Sequence, residues 1–217
     1  MIKNIWKKKK IKHLVYKEKF PPGNSPWKNQ ALQREFILKN LDHLNDEDYI
    51  FFSDPDEIPN PEKLKQINLK KKYGIFLQKN FNYKFNLYNK YESPWEGTRV
   101  SKKKDLKSID YLRQKILTKN LKYPFWRIDK EKSIQIIKNG GWHFNNILSP
   151  KEISLKLKSF AHTEFSSEKF SSLKVINYKI KKRFDLFNRG HIYEKIKLKI
   201  FPKTILKEIK KYKKFLS

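Results

Sequence analysis

One stretch of the chain decides the fold: Tyr49-Ile50-Phe51-Phe52-Ser53-Asp54-Pro55-Asp56-Glu57-Ile58-Pro59, an apolar run that leads into an acidic segment with two prolines. A short continuous apolar run is typical of a strand buried on both faces of a parallel or mixed sheet. The prolines forbid regular pairing after it and predict a turn. Ligands of open α/β sheets bind beyond the carboxyl ends of the strands, so the carboxylates of this turn lie where a site is expected.

The sequence on both sides of this strand alternates between helical and extended patterns. Ser25-Pro26 suits a helix cap and first turn, and the apolar positions that follow recur at helical spacing to about residue 44. We therefore predict an α/β fold with a mixed sheet flanked by helices. The other predicted elements are helices at 61–70, 102–117 and 150–160 and strands at 73–77, 81–87 and 134–137.

The carboxyl-terminal part of the chain, from about residue 175, is rich in lysine with apolar residues at intervals between. This pattern predicts a basic, amphipathic, helical tail. Two interpretations stay open for it: the tail packs as helices on the sheet, or it docks on a membrane. Its apolar positions include Ile196, Ile200, Ile205, Ile209 and Phe215.

Composition restricts the class of protein. The 217 residues suit one domain, and 38% hydrophobic with 15% aromatic residues is too rich in core formers for a disordered chain. The absence of cysteine excludes disulfides, thiolate zinc sites and a cysteine nucleophile. No stretch approaches the roughly 18 apolar residues that span a bilayer, and basic residues 1–10 lack an apolar segment behind them. We expect a cytoplasmic protein, peripheral to the membrane at most.

The formal charge of +29 suggests an anionic partner. Only six of the 51 basic residues are Arg, whereas recognition of bases and phosphates favours the Arg guanidinium, and the lysines are spread along the whole chain. We therefore predict no specific nucleic-acid binding. Attraction to an anionic membrane surface or to anionic glycans remains compatible with this charge.

Three carboxylates stand within four positions of the turn: Asp54, Asp56 and Glu57. Such close carboxylates repel one another unless a cation is bound, and Mg²⁺ or Mn²⁺ binds oxygen ligands that it shares with substrate phosphates. An Asp-x-Asp turn therefore suits a metal held against a diphosphate. A solvated acidic loop is the alternative interpretation.

Other candidate residues lie further along the chain, and each has a structural alternative. His143 and His162 suit a metal ligand or a structural hydrogen bond, and Glu164 suits a general base or an exposed helix end. Arg99 follows Gly97-Thr98 and suits a phosphate partner. Trp95 and Trp142 suit sugar-stacking platforms or the core.

The order and spacing of these segments resemble glycosyltransferase family 17. Arg34-Glu35 within a helix and Ser53-Asp54-Pro55-Asp56-Glu57-Ile58-Pro59 are similar to the family's Arg-Glu helix and Ser-Asp-x-Asp-Glu-Ile-Pro signature. About ninety residues downstream, Gly140-Gly141-Trp142-His143-Phe144 resembles its Gly-Trp-His motif, followed by His162-Thr163-Glu164. The resemblance covers about residues 28–165, and the combination is far more specific than any of its parts.

The resemblance implies a GT-A type catalytic domain that transfers a sugar, with inversion, from a UDP-sugar donor such as UDP-N-acetylglucosamine to a glycan acceptor. It implies that Asp54 and Asp56 hold Mn²⁺ or Mg²⁺ on the donor diphosphate and that His143 or His162 completes the metal shell. Asp56 and Glu164 are then the catalytic residues, with Glu164 as the base. The substrate-binding residues implied are Arg34, Glu57, Arg99, Trp142 and His143.

One departure from the family pattern concerns the amino terminus. Family members begin with a further strand and helix before anything that matches residues 11–20, so we expect an amino-terminally shortened catalytic domain at 1–170 with a basic helical extension at 171–217. A non-catalytic remnant that retains the motifs is the second hypothesis. A lysine-rich nucleic-acid-binding protein, favoured by charge alone, is the third.

Overall fold

The computed structural model describes residues 11–159 and 163–217, which form a curled mixed sheet flanked by helices. The predicted α/β class is confirmed at this level. The strands are β1 Tyr49–Phe52, β2 Glu57–Pro59, β3 Tyr73–Asn82, β4 Leu87–Tyr88, β5 Trp95–Lys102, β6 Ile134–Asn145 and β7 Glu194–Lys195. The α-helices are α1 Pro26–Glu35, α2 Pro61–Lys65, α3 Ile109–Gln114, α4 Pro150–Ser159, α5 Glu168–Ser171, α6 Leu173–Lys182 and α7 Lys203–Lys207.

Strand β3 is the centre of the sheet. It pairs with β5 and β4 in antiparallel orientation and with β6 in parallel orientation, while β1 extends the sheet beyond β5 and β7 extends it beyond β4. Strand β2 pairs with β6 alone in the described chain. The strands that flank the acidic turn and those that carry Arg99 and His143 are therefore connected to β3 directly or through one neighbouring strand.

Both faces of β3 are buried. Tyr73 and Ile75 pack with Leu112 and Ile116 around α3, whereas Phe76 packs with Val100 on the opposite face. Side chains alternate between the faces of a strand, so an apolar run buried on both sides belongs at the centre of a sheet. This is the environment that the sequence predicted for residues 49–53, and β3 has it instead.

Strand β1 does not have the predicted environment. It pairs only with β5 in the described chain, and Phe51 is 37% exposed. The prediction of burial on both faces is therefore wrong for β1. The apolar run is only partly buried: Ile50 is buried, and Tyr49 packs against the cluster around Phe76.

The acidic turn is shorter than predicted. The backbone nitrogen of Glu57 donates to the carbonyl of Asp54 at 2.9 Å, which closes the turn, and Glu57–Pro59 then pairs with β6. Regular pairing thus resumes after Pro55, contrary to the prediction. Pro59 is tolerated because it ends a short strand with one partner, where a missing N–H costs little.

Several helices are shorter than their apolar patterns predicted. The first ends at Glu35 instead of residue 44 and continues as 3₁₀ turns, and its predicted Ser25 cap is confirmed by a 3.3 Å hydrogen bond from the Lys28 nitrogen. Glu35 accepts a hydrogen bond from the backbone nitrogen of Asp110 at 2.6 Å, which anchors the helix end to α3. Tertiary contacts here override periodicity.

The other boundary differences have local causes. The helix predicted at 102–117 is confined to α3, because β5 runs to Lys102 and Ser108 caps the helix that follows. The helix predicted at 61–70 ends at Lys65. The strand predicted at 73–77 continues to Asn82 as β3. The strand predicted at 81–87 is divided between the end of β3 and the two-residue β4. Helix α4 begins as predicted, with reciprocal hydrogen bonds between Ser149 and Glu152.

The carboxyl-terminal segment packs on the sheet. Ile176, Leu186 and Tyr193 join Tyr83 and Leu87 in one buried cluster, and β7 pairs with β4. Phe201 packs against Phe81 and Trp142 in a second cluster. The segment is thus not purely helical, and residues before and after 170 share a core. In the described chain no helix is long and apolar enough to cross a membrane.

Asp185 holds this segment together. Its buried carboxylate accepts hydrogen bonds from Arg189 Nη2 at 2.6 Å and from the Tyr193 hydroxyl at 3.1 Å. Burial alone would raise the pKa of Asp185, but the hydrogen bonds and charge of Arg189 outweigh it and hold that pKa below its ordinary value.

Asp185→Asn should lower the free energy of unfolding by about 2 kcal/mol at neutral pH. A depressed folded-state pKa contributes stability above the unfolded value of roughly 4, and this contribution disappears as pH falls through the folded value. The difference between wild type and variant should therefore be constant above about pH 5 and shrink below about pH 4. Urea titrations across this range measure it, and a difference that grows in acid would contradict this role.

Candidate functional site

A cleft of about 1290 Å³ lies where the turn after β1 meets β5, β6, α1 and α3. Aspartates from the turn and cationic side chains from three helices line this cleft. The polar residues that carry the argument are Arg34, Asp54, Asp56, Arg113, His143 and Lys156.

The turn is fixed from both sides. Ser53 Oγ lies 2.7 Å from Thr98 Oγ1 on β5, and the backbone nitrogen of Phe144 donates to the Asp56 carbonyl at 2.8 Å. Inside the turn, the Asp54 nitrogen donates to Glu57 Oε2 at 3.2 Å. The two aspartates are thus held between β5 and β6.

Glu57 is the buried support of the site. Its side chain is fully buried, forms an ion pair with Arg113 Nη2 at 2.9 Å and accepts a hydrogen bond from Trp95 Nε1 at 2.8 Å. These contacts favour positioning of the turn over the substrate contact that the resemblance implies for Glu57.

Asp54 is neutralised by arginine. Arg113 Nη2 lies 2.8 Å from Asp54 Oδ2, and Arg34 Nη2 lies 3.7 Å from Asp54 Oδ1. Arg34 also contacts Asp110 on α3 at 3.3 Å. The two guanidinium groups therefore bring positive charge to the cleft next to the turn.

Arg113→Ala should lower the free energy of unfolding by about 2–3 kcal/mol, because it leaves the Glu57 carboxylate buried without its cation. Glu57→Gln removes the charge and keeps an acceptor for Trp95. The double variant should therefore be more stable than Arg113→Ala alone, and urea unfolding of the four proteins gives the coupling energy. Additive effects of the two substitutions would show that the ion pair is unimportant.

Asp56 is the carboxylate that faces the cleft without an arginine partner in the described chain. Its Oδ2 lies 3.5 Å from His143 Nε2 on β6, and its side chain is one-third exposed. Burial acts to raise the pKa of Asp56, but the hydrogen bond and charge of His143, with the charge of Lys156, keep it below its ordinary value. Lys156 on α4 in turn has its pKa lowered by burial. Asp56 is therefore ionised at neutral pH.

Trp95 and His143 form a stacked pair at the cleft. Their ring centroids are 4.4 Å apart with an interplanar angle of 12°, and the Arg113 guanidinium lies 5.9 Å from the Trp95 ring. Trp95 is partly exposed and lines the cleft. Of the two tryptophans considered as sugar platforms, Trp95 is the one that reaches this space.

Trp142 is directed away from the cleft. It is 7% exposed and packs against Phe201, because neighbouring residues of β6 point to opposite faces and His143 faces the cleft. The predicted substrate contact of Trp142 has no support in this geometry. Its core interpretation agrees with the structure.

Arg99 lines the cleft but is almost fully buried. Its side chain is 2% exposed, and the guanidinium donates to the carbonyls of Ile116 at 3.0 Å and of Glu96 and Gly97. Burial, with the nearby Arg113 charge, lowers the pKa of Arg99 to about 10. The structure thus engages Arg99 with backbone carbonyls and Glu96, and Arg113 with Asp54 and Glu57.

Two predicted site residues remain, Glu164 and His162. Glu164 is exposed in a 3₁₀ turn and is absent from the residues that line the described cleft. His162 lies outside the described residues. The general base therefore stays a prediction.

Sequence reasoning missed Arg113 and Lys156 as site residues. A signal for Arg113 was available, since the chain has only six Arg among 51 basic residues. Where Lys is the usual cation, an Arg points to a site that uses its planar, multidentate geometry. Lys156 carried no such signal.

A metal site is only partly formed by protein ligands. Among the described residues, no group of three or more His, Asp or Glu side chains is arranged to hold an ion. Asp56 Oδ2 and His143 Nε2, 3.5 Å apart, fit two ligands of one ion, which lie about 3 Å apart in octahedral complexes. Asp54 is engaged by arginines. The residues therefore fit a divalent ion whose other ligands are water and substrate phosphate.

Comparison with protein-family models, curated proteins and solved structures finds no match to this chain. The resemblance to glycosyltransferase family 17 therefore stays a prediction from motifs.

Proposed function

We propose that this protein is a metal-dependent, inverting glycosyltransferase with a GT-A-like fold, which transfers N-acetylglucosamine or a similar hexose from a UDP-sugar to a glycan acceptor. The observation that carries the proposal is the arrangement at the turn after β1. An ionised Asp56 faces the cleft beside His143. The guanidinium groups of Arg34 and Arg113, which come from two helices, contact Asp54 of the same turn.

This arrangement suits a sugar nucleotide because the ligand's parts differ in chemistry. A diphosphate requires cations, and the guanidinium groups of Arg34 and Arg113 bring positive charge to the turn. A sugar ring requires an apolar face and hydrogen-bonding groups, and the Trp95 ring, supported by His143, provides the former.

Asp56 and His143 would hold a divalent cation, Mn²⁺ or Mg²⁺. When bound, this ion stabilises negative charge as the nucleoside diphosphate leaves. The protein's own residues have separate tasks: Glu57 and Arg113 fix the turn, and Arg34 orients Asp54. Lys156 adds positive charge next to Asp56. Inversion also requires a base for the acceptor hydroxyl, for which Glu164 remains the candidate.

Isothermal titration with UDP-N-acetylglucosamine, with and without Mn²⁺, tests the proposal on wild type and on Asp54→Ala/Asp56→Ala. We expect binding that requires Mn²⁺ and that the double substitution abolishes. UDP and GDP-sugars serve as ligand controls, since a uridine site should retain UDP and bind GDP-sugars weakly.

Two outcomes would count against a transferase. Absence of donor binding under all conditions would overturn the proposal. Metal-dependent binding without any hydrolysis or transfer would favour the second hypothesis, a non-catalytic sugar-nucleotide-binding protein. The observation that favours this second hypothesis is that Asp54 is already engaged in ion pairs with two arginines.

A further inference from the structure

The loop at residues 123–130 exposes three large apolar side chains to solvent. Phe125 is 85% exposed, Trp126 is 65% exposed and Ile128 is 95% exposed. Single exposed apolar residues are normal on protein surfaces, but neighbouring ones mark interaction sites. These three stand within four positions, so the 123–130 loop presents a concentrated apolar tip.

Hydrogen bonds hold the loop in this conformation. The Arg127 nitrogen donates to the Pro124 carbonyl at 3.1 Å, and the Lys130 nitrogen donates to the Arg127 carbonyl at 3.1 Å. The Arg127 side chain binds Asp129 through two hydrogen bonds of 2.7 and 2.8 Å. The backbone is thus ordered by its own polar contacts while the apolar side chains point outward.

Basic residues surround the apolar tip. Residues 118–132 carry five cationic side chains and two carboxylates, Asp129 and Glu131, and Asp129 is paired with both Arg127 and Lys130. Tryptophan and phenylalanine favour the interface of a bilayer, and lysines beside them are attracted to anionic headgroups. The cations are Lys119, Lys122, Arg127, Lys130 and Lys132.

We propose that the 123–130 loop docks the protein on an anionic lipid bilayer, with Phe125, Trp126 and Ile128 inserted among the headgroups. The charge of the flanking residues selects this partner, because an apolar tip flanked by net positive charge is complementary to an anionic surface with an apolar interior. The inference does not rest on the proposed enzymatic function, since lipid binding is measured without donor or acceptor.

Docking through this loop would set the position of the cleft. Leu117 and Lys119, which precede the loop, line the cleft. The docking loop therefore follows part of the cleft wall within a few positions of the chain.

Vesicle sedimentation tests the proposal, with phosphatidylcholine vesicles compared with vesicles that also contain phosphatidylglycerol. We expect binding to the anionic vesicles only. Phe125→Ser/Trp126→Ser/Ile128→Ser keeps the charge of the chain, so it separates insertion from general attraction. It should weaken binding by at least about tenfold, since it removes the apolar groups that enter the bilayer.

A matched control removes three exposed apolar side chains elsewhere. Leu155→Ser/Leu173→Ser/Tyr178→Ser acts on α4 and α6, where these residues are 67%, 43% and 53% exposed. It should bind the vesicles like wild type. Thermal unfolding of both triple variants verifies that each is folded.

Tryptophan fluorescence locates the inserted residue. Wild type should show a blue shift on anionic vesicles and quenching by brominated lipid, whereas Trp126→Phe should bind the vesicles but lose both signals. Equal binding by the loop variant and wild type, or a blue shift retained by Trp126→Phe, would overturn the proposal. A change in oligomeric state caused by the loop substitutions would overturn it too and assign the loop to a contact between copies of the chain.

Discussion

Asp56→Asn should reduce Mn²⁺-dependent hydrolysis of UDP-N-acetylglucosamine by about 10²–10³-fold. The substitution keeps the shape of the side chain and removes its charge. In the proposed site Asp56 is the carboxylate left for a cation, because Arg34 and Arg113 engage Asp54. An amide oxygen is a much weaker ligand for a hard divalent ion, so the charge that develops on the leaving diphosphate would lose its stabilisation.

The measurement is the rate of UDP release with and without Mn²⁺. Asp46→Asn is the matched control, since Asp46 is exposed in the segment before β1 and does not line the cleft. It should leave the rate and its metal dependence unchanged. Full metal-dependent turnover by Asp56→Asn would mean that the ion binds elsewhere and that the turn does not carry the chemistry.

Gly141→Ala should lower the free energy of unfolding by about 4 kcal/mol or more, close to the whole stability of many domains. Gly141 has a φ of 132°, which side-chain-bearing residues rarely adopt. An added Cβ would lie far inside van der Waals contact of the Ile58 carbonyl oxygen and 2.8 Å from the Asn60 nitrogen. Both are backbone atoms of the segment that pairs with β6, so the clash must separate β2 from its partner.

Urea unfolding measures this effect, with Gly190→Ala as the control. Gly190 also has a positive φ, of 79°, but nothing lies within 4 Å of an added Cβ. Gly190→Ala should lower the free energy of unfolding by only about 1–2 kcal/mol, the cost of placing a side chain at a positive φ. Equal effects at the two glycines would show that β2 and β6 adapt without loss.

The sequence predicted some elements correctly because their signals are local. Ser149 and Glu152 form a capping box that needs no tertiary contact, and helix α4 begins where that box places it. The acidic turn after an apolar strand was also predicted, and it does lie at a cleft. The strand β5, by contrast, was not predicted, because Trp95-Glu96-Gly97-Thr98 shows no apolar alternation.

The predictions that were wrong concern features that depend on residues distant in the sequence. Burial of β1 was overestimated because an apolar run does not reveal how many neighbours a strand has. Arg113 was not selected because its partners, Asp54 and Glu57, lie more than fifty positions away in the sequence. The placement of Trp142 in the core depends on Phe201, which belongs to the carboxyl-terminal segment.

The pairing of β2 with β6 has a consequence for synthesis of the protein. Glu57–Pro59 emerges from the ribosome early, whereas its partner residues 141–143 follow more than eighty positions later. Contacts between residues so far apart in sequence form late and slowly. The nascent chain therefore carries an unpaired acidic segment while more than eighty further residues are added, and the cleft is completed only after β6 has left the exit tunnel.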